Sequence, residues 1–266
     1  MIRESRYYLL ASFISIAINF LTLPFFTRYL APSDYGILGL FLIFGSVITT
    51  LCAFGLNTAT YGLYFKYEIK KFRVLNTTIF IFLASFFFMV GFLVIFPFSD
   101  SISKSLFNSE LSSQIIRLSY LNGCLNYFYM FLGQLLIAQK KSRVFSILSI
   151  THILLNALTS FYLLYSESFL VYDNLYMALV IGALVSNSLV LTTSLFINRN
   201  LFVLRISLKK IKRAIVFGIP EVPNVIISLL YSGFDKVMLV NYKGATEVGY
   251  YDFGNRFAGI LKIFID

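Results

Sequence analysis

Asp252 and Arg256 stand four residues apart in an otherwise largely apolar stretch, the spacing at which side chains on one helix face meet. A charge at bilayer depth costs roughly 3 kcal/mol even on insertion-based scales, so it needs a partner, a water-lined cavity or a route to the surface. Arg256 steadied by Asp252 reads either as a cationic wall for a phosphate-bearing ligand or as a structural ion pair between helices. Lys262 follows on the same stretch and would extend such a wall. Asp235 is either a titrating site for a coupling ion, H+ or Na+, or a partner for Arg256. With Lys236 beside it, it equally marks an outer interface.

Glu221 lies between Pro220 and Pro223. Two prolines remove two backbone donors and weaken the helix there. The segment is either a hinge or a place where Glu221 snorkels to the surface. Pro24 should bend the first apolar stretch. Arg117, near one end of its stretch, either snorkels or adds a phosphate contact. His152 and Asn156 share one helix face, and Asn122, Asn126 and Gln134 dot another stretch; such groups bond across packed helices or contact cargo. No Walker loop, Asp-X-Asp metal site or nucleophile–base set occurs. We expect neither an enzyme nor a bound cofactor or metal.

These residues are carried on 266 positions, 58% hydrophobic and 13% charged, with mean hydropathy +0.81. Soluble domains carry about 25% charged residues. A water-soluble globular enzyme is thereby excluded, as is a disordered or fibrous chain. The two cysteines and the single histidine support neither a disulfide framework nor a zinc site. The formal charge of +10 does not point to nucleic acid, because the basic residues sit in short gaps between apolar stretches.

About 20 residues cross a bilayer core. Six complete spans are expected at 8–30, 36–55, 74–96, 115–138, 144–165 and 174–196. A seventh runs over 214–240, and an eighth begins near 248 and continues to the last residue. The longest outer gap would be 97–114. Alternate gaps divide the cations unequally. One side holds Arg3, Arg6, Lys66, Lys70, Lys71, Arg73, Lys140, Lys141, Arg143, Arg199, Arg205, Lys209, Lys210, Lys212 and Arg213; the other holds Arg28, Lys104, Lys236 and Lys243. The bias places the N-terminus in the cytoplasm. Residues 201–213 alternate basic and apolar side chains. They read as an amphipathic helix on the cytoplasmic leaflet, attracted to anionic membrane lipids, or as an ordinary polar linker.

Residues 29–36 (YLAPSDYG) and 242–249 (YKGATEVG) share a hydroxyl residue, an acid, one further residue and a glycine at the start of a span, at an offset of 213. Hydroxyl caps and first-turn acids are general helix-start features. Both copies nevertheless open a returning span, which favours a true repeat. The expected organisation is therefore all-α and polytopic: a six-helix lobe at 1–200, a linker at 201–213, and the first two helices of a second, parallel-repeat lobe at 214–266. On this reading the chain stops about four spans short of a complete second lobe.

The run 19–36 (NFLTLPFFTRYLAPSDYG) resembles the opening of the polysaccharide-biosynthesis flippases, the O-antigen or Wzx-type translocases. Residues 55–59 (GLNTA) followed by 64–67 (YFKY) resemble the end of that family's second helix. Phe217-Gly218-Ile219-Pro220 with Pro223, then Asp235-Lys236, resembles its seventh. The resemblance implies membership of the multidrug/oligosaccharidyl-lipid/polysaccharide exporter superfamily, with two lobes around a cavity that opens alternately to each side. The implied cargo is an undecaprenyl-diphosphate-linked oligosaccharide, moved to the outer leaflet of the inner membrane, with polysaccharide assembly proteins as further partners. A drug or metabolite antiporter, a peptidoglycan-precursor flippase and a membrane glycosyltransferase or polymerase remain the alternatives.

Overall fold

The computed structural model describes residues 2–53, 55–108, 111–166 and 175–262. Within them every regular element is a helix, in keeping with apolar runs too long for strands. The elements are α1 (Ile2–Tyr29), α2 (Pro32–Ala53), α3 (Leu56–Lys66), α4 (Ile69–Val90), α5 (Phe96–Phe107), α6 (Ser113–Ala138), α7 (Ser142–Tyr165), α8 (Tyr176–Asn198), α9 (Leu208–Gly218), α10 (Val222–Lys243) and α11 (Ala245–Lys262).

Among the described residues six segments are long and apolar enough to cross a membrane: Leu9–Tyr29, Pro32–Leu51, Ile69–Phe107, Ser142–Tyr165, Tyr176–Leu201 and Leu208–Lys243. The expected fourth and eighth spans, α6 and α11, are not among them. Both are diluted by polar side chains: Gln114, Arg117, Asn122, Asn126 and Gln134 in α6, and Glu247, Asp252, Asn255 and Arg256 in α11. At 26 residues, α6 still has the length to cross, about 39 Å at 1.5 Å per residue. Its polar residues are tolerated because it lies at the centre of the bundle, with Tyr127, Phe131, Leu132 and Leu135 fully buried.

Three boundaries differ from the sequence reading. Residues 56–66, read as part of the gap between the second and third spans, form α3, which Gly55 separates from α2 with φ of 67°. Residues 97–107, expected as an outer gap, continue α4 into α5 through a π turn at Gly91–Ile95. The Tyr120 hydroxyl donates to Phe87 O at this point. A side chain inserted at a helix carbonyl is a recognised cause of such a turn.

The third difference concerns the linker. The amphipathic helix starts at Leu208 rather than at 201, and 201–207 has no α-helix. Its backbone is taken up by α4 instead. Asn76 Nδ2 donates to Leu201 O at 3.1 Å, Val203 N donates to Thr77 Oγ1 at 2.8 Å, and Ser207 N donates to Thr78 Oγ1 at 3.1 Å. Those three side chains are buried, so the strap satisfies polar groups that would otherwise be costly inside the fold. Beyond it, α9 buries Ile211, Ala214 and Gly218 and exposes Lys209, Lys212 and Arg213.

Helices α2 and α6 pack through small residues, as membrane helices do when backbones must approach. Thr49 Oγ1 donates to Gly123 O at 2.9 Å, and the Ser119 hydroxyl donates to Phe41 O. Aromatic contacts join α1 to α7, with Phe26 stacked on Phe161 at 4.7 Å between centroids.

Candidate functional site

The most concentrated buried charge among the described residues lies where α10, α11 and α2 meet. Lys236 Nζ donates to Asp252 Oδ1, and the two side chains are 14% and 8% exposed. Each stands about two turns from the α10–α11 connection, so the pair lies roughly 10 Å along the helices from that end. A Cβ at Gly39 of α2 would lie 3.5 Å from Asp252 Cγ, so the carboxylate is seated over a residue with no side chain. Beside this rung is a second. The Tyr251 hydroxyl donates to Asp235, whose carboxylate also accepts from Lys236 N at 2.8 Å. Unlike Asp252, Asp235 is exposed.

Helices α2 and α11 are held together by the two repeat segments themselves. A Cβ at Gly36 would fall 1.8 Å from Ala245 O, and a Cβ at Gly249 would fall 1.8 Å from Pro32 O. The shared offset of 213 that aligns Gly36 with Gly249 also aligns Pro32 with Ala245. Each copy therefore presses its glycine on the first helical residue of the other.

The anticipated residues are distributed as follows. Asp252 has Lys236 of the neighbouring helix as a partner. Asp235 has Tyr251 as a partner. Arg256 and Lys262 fall within α11, and their side chains lie outside the described residues. Arg117 is exposed; its Nε donates to Ser99 Oγ at 3.0 Å, and its guanidinium lies 5.9 Å from the centre of the Phe96 ring. It is held against α5.

Pro24 lies within α1, which continues through it as one helix. The Pro220–Pro223 region interrupts the expected seventh span. Helix α9 ends at Gly218, a 3-10 turn covers Ile219–Glu221, and α10 begins at Val222. The missing donors of the two prolines account for the break. Glu221 accepts from Asn224 Nδ2 at 3.2 Å. A Cβ at Gly55 would meet Gly218 O at 2.2 Å, so the break rests on the start of α3.

His152 and Asn122 are joined by a residue the sequence reading missed. Asn187 of α8 donates through Nδ2 to Asn122 Oδ1 at 2.9 Å. Its Oδ1 lies 3.1 Å from His152 Nε2, whose ring stacks on Tyr129 at 5.0 Å. The chain ties α6, α7 and α8 together, as polar groups in membrane bundles do. Asn156 lines a separate cavity of about 170 Å³ among α1, α2, α7 and α8, with Asn19, Thr22 and Ser160. That cavity carries no charged side chain. No group of three or more His, Cys, Asp and Glu suited to a metal occurs among the described residues.

An all-α chain with several membrane-crossing helices, a glycine-locked repeat and a buried cation–carboxylate pair is a multi-pass membrane protein. It belongs to the family described as polysaccharide biosynthesis protein, whose model matches residues 1–266. Comparison with curated proteins and with solved structures finds no match.

Proposed function

We propose that this protein carries an undecaprenyl-diphosphate-linked oligosaccharide from the cytoplasmic to the outer leaflet of the inner membrane, for synthesis of a cell-surface polysaccharide such as O-antigen or lipopolysaccharide. It acts as a transporter rather than an enzyme, with its N-terminus in the cytoplasm. The family supports a role in polysaccharide synthesis, and the cation bias supports the orientation.

The observation that carries the cargo reading is the buried Lys236–Asp252 pair at the meeting of α2, α10 and α11. An ammonium held by one carboxylate can exchange that partner for a diphosphate oxygen, and Asp252 can then be neutralised by a coupling H+ or Na+. Arg256 and Lys262, further along α11, add positive charge to the same helix. The break at 219–221 is the hinge, with Pro220, Glu221 and Pro223 its residues, and the lobes alternate between inward-open and outward-open forms about it. No cofactor is needed. The lipid-linked cargo, the membrane lipids and polysaccharide assembly proteins are the partners.

The test is deletion of the gene at its own locus, with the carrier-linked oligosaccharide and surface polymer both quantified. Accumulation of carrier with complete repeat units, loss of surface polymer, and rescue by the wild-type reading frame but not by Lys236→Met are expected. An unchanged carrier pool with normal polymer, in a strain without a redundant flippase, rules the cargo out.

A further inference from the structure

A second cavity of about 510 Å³ opens between α4, α6 and α8, and none of its lining residues belongs to α1, α2, α10 or α11. Its size is within the roughly 300–1,000 Å³ of sites that hold organic ligands. Phe80, Phe88, Leu121, Cys124, Phe128 and Leu191 form its walls. The hydroxyls in its lining are turned to the protein: Tyr120 donates to Phe87 O, and Ser188 donates to Leu184 O at 2.7 Å. The surface offered to an occupant is therefore hydrocarbon and aromatic ring.

One cation stands over this cavity. Arg117 precedes Tyr120 and Leu121 by three and four residues on α6, which places it on the same face one turn above the groove. Ser99 Oγ takes its Nε at 3.0 Å, and Phe96 lies beneath the guanidinium at 5.9 Å. Among the described residues no carboxylate pairs with it, and it remains exposed. A guanidinium fixed by one nitrogen presents the others in a plane suited to phosphate oxygens.

We propose that the groove is the seat of a resident phospholipid, with one acyl chain between α4, α6 and α8 and the headgroup phosphate at Arg117. The cation calls for a phosphate-headed lipid at the N-terminal end of α6, and the apolar walls take its chain. The groove's separation from the Lys236–Asp252 junction favours a resident lipid over the tail of transported cargo. This inference needs only that the chain spans a membrane, and it stands or falls separately from the proposed transport.

The experiment reconstitutes the full protein in nanodiscs containing phosphatidylglycerol with a diazirine in the acyl chain, irradiates them, and maps adducts by peptide mass spectrometry. Adducts are expected to concentrate in the peptides that carry residues 80–88 and 121–128. Arg117→Gln is expected to lower them about fivefold, the effect of one cation at a lipid surface, while Arg117→Lys retains most of the signal. Ala84→Phe, which fills the groove, lowers them with Arg117 intact and guards against a folding defect in the first variant.

The same probe with a diacylglycerol head should be indifferent to Arg117→Gln. Adducts spread evenly over exposed positions of α7 such as Ile147, Leu158 and Tyr162 would overturn the proposal, as would no response to Arg117→Gln and Ala84→Phe. Competition by undecaprenyl phosphate but not by unlabelled phosphatidylglycerol would also overturn it, assigning the groove to cargo.

Discussion

Gly36 and Gly249 occupy matching places on the two sides of the α2–α11 crossing, each 1.8 Å, from its would-be Cβ, to the first helical carbonyl of the opposite helix. No side chain fits there. Gly36→Ala and Gly249→Ala are each expected to destabilise the purified protein by about 1–3 kcal/mol or more, as overpacking does. Gly254→Ala, which meets nothing within 4 Å, should be neutral to slightly stabilising. Thermal unfolding in detergent measures all three; a Gly36→Ala protein as stable as Gly254→Ala would refute the crossing.

The Lys236–Asp252 pair separates structure from transport. Breaking a buried pair from one side costs about 3–5 kcal/mol, whereas replacing both partners with apolar residues is often neutral. Lys236→Met and Asp252→Leu should each lower the unfolding temperature, and the double variant should recover it. Surface polymer should nevertheless stay absent in the double variant. A double variant that folds and also restores polymer would reduce the pair to a structural role.

The strap over α4 depends on Asn76, whose amide reaches Leu201 O at 3.1 Å. Asn76→Ala leaves a carbonyl unsatisfied, at about 1–3 kcal/mol. A cysteine placed at Phe202, with Cys52 and Cys124 replaced by Ser, should react with maleimide several-fold faster when Asn76 is Ala. Equal rates would show that the strap is held by other contacts.

Orientation is open to the same chemistry. Asn108 and Lys141 are exposed and lie beyond opposite ends of α6. In the cysteine-free background, Lys141→Cys should be shielded from an impermeant maleimide added outside spheroplasts, and Asn108→Cys should be labelled. The reverse pattern would invert the topology.

Much of the helical framework was legible because hydropathy acts locally. Apolar runs of about 20 residues have few alternatives to a membrane helix, and the first, fifth and sixth spans lie near their expected places. The likeness of the two segments has a structural counterpart: Pro32-to-Gly36 and Ala245-to-Gly249 do equal tasks at one helix crossing.

The site was less legible. Lys236 and Asp252 are separated by 16 positions, a spacing that corresponds to no helix periodicity and becomes contact only when α10 turns back into α11. The i, i+4 rule describes one helix and so offers Asp252 only partners on its own helix, such as Arg256, and none on the next. Asn187 was hidden in a Ser-Asn-Ser run of a plain apolar span, and only the approach of α6 and α7 gives it partners. The strap at 201–207 was masked by good helical alternation, which lost to three hydrogen-bonding side chains on α4.

The π turn at Gly91–Ile95 has a geometric consequence for everything beyond it. From Ile79 to Phe107 every fourth residue is buried: Ile79, Leu83, Phe87, Gly91, Ile95, Ser99, Ser103 and Phe107. In an ideal helix of 3.6 residues per turn a four-residue step overshoots by about 40°, so such a stripe would spiral away from a straight neighbour. The wider turn advances fewer degrees per residue and takes back part of the accumulated angle. It works as a vernier set partway along a 39-residue rod, returning Ser99 and Ser103 to the side on which α6 lies. Removing one residue between 91 and 95 would swing that far end by about 100°, carrying the seat of Arg117 off its neighbour while leaving the near end in place.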